Sequence, residues 1–142
     1  LSAATGLSGE AIQRARDRGF TETLISPLND IQAAEISNQL KSSGFTLSRG
    51  GRFYTLQSDT VSKGKAVQWM MEIYRLEHVQ TPYFAAVGDS PNDVPMLEVV
   101  DLPFLVQGQD KTWANVEIPN LIKINAIGPA GFSKAVQVLL GE

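Results

Sequence analysis

"YFAAVGDSPNDVPMLEVVDLPFLV", residues 83–106, decides how the rest of the chain is read. An apolar run ends at Gly88, breaks into Asp89, Ser90, Pro91, Asn92 and Asp93, and resumes as an apolar-patterned segment and a second apolar run. Short strands that are apolar throughout are the mark of a parallel sheet covered on both faces. Strand, helix and strand in alternation point to α/β architecture. In such a sheet ligands bind beyond the carboxyl ends of the strands, which is where Gly88 to Asp93 falls. Packing does not call for two carboxylates and an amide at that point, and removing carboxylates from water is costly unless something pairs with them. A metal ion is the obvious partner, and a hard cation such as Mg²⁺ wants oxygen ligands and keeps several waters. The local alternative is that Asp89 and Asp93 are turn and cap residues, because Asp, Asn, Ser and Pro populate turns for reasons of their own.

Downstream of this stretch, "LIKI" reads as another strand, and Pro129 to Leu140 as a helix with Pro at its start and Gly141 just past its end. Upstream, Ser62 can cap a helix to about Leu76 with Ala66, Val67, Met70, Ile73 and Tyr74 at helical spacing. Trp69, Met70 and Met71 on this helix read as core. Before residue 59 the pattern is different. Ser8 can cap a helix to about Arg18, "TLIS" is a short strand, and Ile31 to about Ser42 is an amphipathic helix. "GFTLSRGGRFYTLQ" holds two alternating runs around a Gly pair, a hairpin signal. The expected organisation is therefore an α+β unit over residues 1–58 and part of a Rossmann-like parallel α/β unit over 59–142, with "QSDTV" between them.

Composition narrows the function. The chain has 142 residues, 43% hydrophobic and 19% charged, which suits one or two small globular domains. A net charge of −3 gives no global reason to expect nucleic acid or membrane as partner. No apolar stretch reaches the roughly 20 residues that span a bilayer, and no export signal is evident, so the cytoplasm is the expected location. The absence of cysteine excludes disulfides and thiol catalysis. Residues 1–65 carry eight Lys or Arg against six acids, and residues 66–142 four against nine. Between Lys41 and Lys65 five bases face only Asp59, where an anionic ligand could sit, although such runs are usually solvated surface.

Gly88, Asp89, Asn92 and Asp93 match the "GDxxND" form of the fourth motif of the haloacid-dehalogenase-like phosphatases, and the chain resembles that superfamily. "VSKGKAV" resembles its third motif, a Lys at a helix start followed by Gly; the matching residue is Lys63, with Lys65 the second choice. The 26 residues from Lys63 to Asp89 hold one helix and one strand, as that fold requires. "ATGLSGEAIQRARDRGFTETL", "RGGRFYTLQSDTVSKGKAV" and "GDSPNDVPMLEVVDLPFLVQG" are more narrowly similar to mannosyl-3-phosphoglycerate phosphatases. In that family an Arg-Glu-Phe run followed by an acid and a proline is usual in the cap; here Arg18, Gly19, Phe20, Thr21, Glu22 and Thr23 stand there, departing at Gly19 and Thr23.

The resemblance implies a Mg²⁺-dependent hydrolase of phosphorylated sugars. Asp89 and Asp93 would lie on the metal side, Lys63 would neutralise the phosphate, and Asn92 and Asp93 would orient Lys63 and the loop. Ser90, Arg49, Arg52 and the N–H groups of Gly50 and Gly51 would meet the substrate. Bidentate Arg suits a carboxylate, while a hairpin tip with two solvated arginines is the equal alternative. The family's nucleophile and general acid sit in an amino-terminal "DxDGT" motif that is absent here. Together with a first residue that is Leu1 rather than Met, this leads us to expect the carboxy-terminal piece of a longer phosphatase, with little or no turnover of its own. The strand at "YFAAV" would then have an unpaired edge, an association hazard that a homodimer could bury. The competing class is a non-catalytic module that binds a sugar phosphate or self-associates. An esterase with Ser90 of "GDS" as nucleophile needs a late histidine, and His78 is the only one.

Overall fold

The computed structural model describes residues 2–17, 19–50 and 53–141. Arg18, Gly51 and Arg52 lie outside the described residues. The chain divides into two compact units, Leu1–Val61 and Ser62–Glu142.

The first unit runs α1 (Ser2–Thr5), α2 (Glu10–Arg16), β1 (Thr21–Leu24), α3 (Asp30–Leu40), β2 (Phe45–Arg49) and β3 (Tyr54–Ser58). Ser8 does not cap α2 with its side chain: Gly9 occupies that position, at φ 55°, and the Ser8 carbonyl accepts the Ala11 N–H at 3.2 Å. α3 starts where its sequence dictates. Asn29 Oδ1 accepts the Gln32 N–H at 2.9 Å, and Gln32 Oε1 accepts the Asn29 N–H at 3.1 Å, a reciprocal capping box. The strands form an antiparallel sheet in the order β1-β3-β2, with Leu47 opposite Leu56 and Ser48 opposite Thr55.

The second unit runs α4 (Lys63–Glu77), β4 (Ala85–Gly88), a single 3₁₀ turn (Pro91–Asp93), α5 (Val94–Leu97), β5 (Leu102–Gln107), β6 (Ile122–Ile127) and α6 (Gly128–Leu140). The Ser62 hydroxyl accepts the Lys65 N–H at 3.1 Å and so caps α4. The sheet is parallel, in the order β4-β5-β6. β5 is central and covered on both sides, which explains its unbroken apolar sequence. Phe104 and Val106 pack with Ile124 of β6 and Ala135 of α6, while Leu105, fully buried, points to the opposite face. Among the described residues β4 has no strand on its other side.

Two expectations need correction. The strand at "YFAAV" begins only at Ala85, because Phe84 is tied to Asp101: its N–H donates to Asp101 Oδ2 at 2.8 Å and its carbonyl accepts the Asp101 N–H at 3.0 Å. On α4 the side chain that reaches the core is Met71, whereas Trp69 is 64% and Met70 47% exposed. The periodic apolar stripe is there, but the described residues of this unit cover only its edge. Trp113 is held by a hydrogen bond from Nε1 to the Ile124 carbonyl at 3.2 Å and lies over β6. Among the described residues no helix is long and apolar enough to cross a membrane.

Candidate active site

The loop between β4 and α5 folds around the Asp93 side chain. Asp93 closes the 3₁₀ turn and is the one buried charged residue among those described, at 6% exposure. Both its carboxylate oxygens are engaged. Oδ1 accepts from Lys63 Nζ at 2.5 Å. Oδ2 accepts the Asp89 N–H at 3.1 Å, the Ser90 N–H at 3.2 Å and the Ser90 hydroxyl at 3.0 Å. Burial alone would push the Asp93 carboxyl up; the Lys63 hydrogen bond, the Asp89 N–H, the Lys63 charge and the Ser90 hydroxyl outweigh it and hold the carboxyl below its ordinary value. The loop is thus organised by an ionised carboxylate that gathers donors inward.

Two glycines permit this geometry. A Cβ on Gly88 would stand 2.6 Å from Asp93 Cβ, so the end of β4 can approach the 3₁₀ turn only without a side chain. A Cβ on Gly64 would collide with the Pro95 carbonyl, so the first turn of α4 rests directly on α5. That contact brings Lys63 to the loop, although Lys63 and Asp93 are thirty positions apart. The pairing of Gly64 with Pro95 was not legible in advance. Its only signal was a glycine in the first turn of a helix, where it is unfavourable unless a close approach requires it.

The other anticipated residues fall differently. Asp89 is exposed, and its carboxylate has no hydrogen bond or ion pair among the described residues. Lys63 keeps half of its side chain in solvent, and after the bond to Asp93 two ammonium donors remain for a ligand. Lys65 contributes only its backbone N–H, to the Ser62 cap. The Ser90 hydroxyl also lies 2.5 Å from Asn92 Oδ1. A hydroxyl has one proton, so a half-turn of the Asn92 amide, putting its NH₂ toward Ser90, would let both contacts form together.

Among the described residues no group of three or more His, Cys, Asp or Glu side chains is placed to hold a metal. The donor set offers one free hard oxygen ligand, Asp89. Asp93 is already occupied by a cation and three further donors, so the pairing of Asp89 and Asp93 as equal ligands does not match the geometry. In the first unit, Arg49 pairs with Asp30 at 3.4 Å and lies over the Tyr54 ring at 5.8 Å. The Gly50 N–H donates to the Phe53 carbonyl at 2.9 Å and closes the hairpin, so it is not free to grip a ligand as the sequence had suggested. His78 stacks on Tyr74 with ring centroids 5.3 Å apart, in the loop after α4.

Known proteins resemble this chain in sequence and in fold. The sequence profile of the haloacid dehalogenase-like hydrolases matches residues 10–115. The glucosyl-3-phosphoglycerate/mannosyl-3-phosphoglycerate phosphatase of Persephonella marina is 32% identical over 97% of this chain and 51% of its own length. The protein of the same description from Methanococcoides burtonii is 32% identical over 100% of this chain and 52% of its own. The chain therefore spans about half the length of these curated relatives. A crystal structure from Thermoplasma acidophilum superposes with a TM-score of 0.66 at 15% identity, over 92% of this chain and 59% of that one, a likeness of fold. The chain belongs to the haloacid dehalogenase-like hydrolase family.

Proposed function

We propose that these residues are the carboxy-terminal half of a Mg²⁺-dependent phosphatase acting on a glycosyl-3-phosphoglycerate, the mannosyl ester first. The single observation that carries the proposal is the Lys63–Asp93 pair: a buried carboxylate fixing a half-exposed ammonium beside a free carboxylate at the carboxyl end of a parallel strand. The relatives' phosphatase activity toward glucosyl- and mannosyl-3-phosphoglycerate suggests the substrate class.

In this proposal Lys63 offers its two remaining N–H groups to phosphate oxygens, and its charge offsets the negative charge developing on phosphorus. Asp93 keeps the ammonium charged and aimed, and pulls the Asp89 and Ser90 backbone into place. Asn92 and the Ser90 hydroxyl hold the tip of the loop, with Ser90 on the substrate side. Asp89 would hold Mg²⁺ directly or through water, and when bound the ion supplies charge neutralisation at the phosphate. The attacking carboxylate and its acid–base partner would come from the part of the parent outside these residues. Residues 1–58 would be part of the cap, with Arg49 and Arg52 as candidate partners of the glyceryl carboxylate, and 59–142 part of the catalytic core. The open side of β4 is where the missing strands would pair, and two copies of the isolated chain would meet there as a homodimer.

The test is phosphate release from mannosyl-3-phosphoglycerate with Mg²⁺, comparing this chain with its full-length parent. Activity of the parent alone supports the proposal. Turnover by the short chain would mean that another carboxylate here is the nucleophile. Silence from both favours a non-catalytic binding module.

A further inference from the structure

Two parallel strands end side by side at the candidate site. β4 stops at Gly88, opposite Leu105, and β5 runs two residues further, to Gln107. The segment that follows, Gly108 to Thr112, leaves the sheet at its carboxyl end, next to the Asp89–Asp93 loop. Neighbouring strands lie about 4.8 Å apart, and ligands of parallel sheets bind at that end.

The segment is a closed turn that displays one cation. The Gly108 N–H donates to the Thr112 carbonyl at 2.9 Å and the Lys111 N–H to the Gly108 carbonyl at 3.0 Å. Gln107 Nε2 donates to the Lys111 carbonyl at 2.6 Å. Both carboxylate oxygens of Asp110 are engaged by Thr112, one accepting its N–H at 3.0 Å and the other its hydroxyl at 2.8 Å. The adjacent acid thus leaves Lys111 alone. Its ammonium is exposed and has no hydrogen bond or ion pair among the described residues. Other cations of this unit are engaged: Lys63 with Asp93, Lys134 with the Asn125 carbonyl, and Arg75 over the Phe84 ring. Lys111 also sits at φ 62°, in the left-handed region that glycine occupies at no steric cost. Side-chain-bearing residues held there cluster at functional sites.

We propose that Lys111 is a specificity-determining residue, its ammonium receiving the carboxylate of a phosphoglycerate ester while Lys63 receives the phosphate. A 3-phosphoglycerate group carries these two anions at the ends of a three-carbon chain, a length of about one strand spacing. A lysine suits the carboxylate as a point charge on a flexible stem, and here the stem rises from a backbone fixed by its own hydrogen bonds. The glycosyl part of such an ester is uncharged, so the carboxylate is what distinguishes it from a simple sugar phosphate. The inference rests on the function proposed above and adds to it the residue that reads the second charge.

The experiment compares D-3-phosphoglycerate with inorganic phosphate in amide-shift titrations of the 142-residue chain. Phosphate should shift Lys63 and Asp89 to Asp93. Phosphoglycerate should shift these and also Gly108 to Thr112, and bind about fivefold more tightly, the upper end for a solvent-exposed ion pair. Lys111→Met should bring phosphoglycerate down to the affinity of phosphate, whereas Lys111→Arg, which keeps the charge, should retain the preference. Lys111→Gly relieves the left-handed backbone, so its thermal midpoint should be at least that of the unsubstituted chain while the preference is lost. A merely structural lysine would not separate those two readouts. Equal affinity for the two anions, or a preference that survives in the methionine or glycine variant, would overturn the proposal and leave the phosphate site at Lys63 standing. Saturable shifts from neither anion up to about 0.1 M would remove the function proposed above, and this role of Lys111 with it. If the methionine variant does not fold, the glycine and arginine variants carry the same comparison.

Discussion

Among the described residues each unit holds one ion pair between residues distant in sequence, and the two pairs differ in nearly every physical respect. Arg49 and Asp30 meet at 3.4 Å with side chains 70% and 90% exposed. Lys63 and Asp93 meet at 2.5 Å with Asp93 at 8%. The first is a surface contact screened by water, of the kind whose measured contribution is about 0–1 kcal/mol. The second is part of a buried network in which one carboxylate also satisfies two backbone N–H groups and a hydroxyl. What separates them is the number of donors that would be stranded if the acid were removed.

The largest effect should come from Asp93→Ala. It strands the Asp89 and Ser90 donors in a part-buried loop, and the second unit should lose about 3 kcal/mol in denaturant unfolding. A loss under about 1 kcal/mol would reduce the pair to the standing of Arg49–Asp30. Gly88→Ala, whose Cβ would meet Asp93 Cβ at 2.6 Å, should cost about 2–3 kcal/mol through the same loop. Lys63→Met should cost less, about 1–2 kcal/mol, because the lysine is half in solvent; in the full-length parent it should all but abolish phosphate release. Arg49→Ala or Asp30→Ala should change stability by no more than about 0.5 kcal/mol. A clearly larger effect would mean that the surface pair is structural after all.

The pH dependence sharpens the same contrast. Because folding lowers the Asp93 pKa, its contribution is complete above the unfolded value of about 3.9 and is lost as the pH falls through the lower folded value. Acid should therefore weaken the second unit below about pH 4, and Asp93→Asn should flatten that part of the stability curve.

Much of this was legible in the sequence, for reasons that can be named. The apolar run of β5 and the cap at Ser62 are local signals, and the elements they specify formed. The charged loop at the end of β4 announced itself by carboxylates that packing did not require. What stayed hidden depends on partners far along the chain. Spacing alone could not show that Asp93 has both oxygens occupied, leaving Asp89 as the free carboxylate. Nor could it show that Gly64 lies against Pro95. The apolar stripe on α4 gave the right period and the wrong environment for Trp69 and Met70, because periodicity reports which face is apolar and not what covers it.

The central claim is that Asp93 is an ionised anchor for Lys63, with Asp89 left free. The most direct measurement is the carboxyl titration of Asp93 by carbon NMR, with and without Lys63→Met. The account predicts that Asp93 titrates below the ordinary carboxylate range in the unsubstituted chain and moves upward when the lysine is lost. An Asp93 that titrates in the ordinary range and ignores the substitution would contradict it.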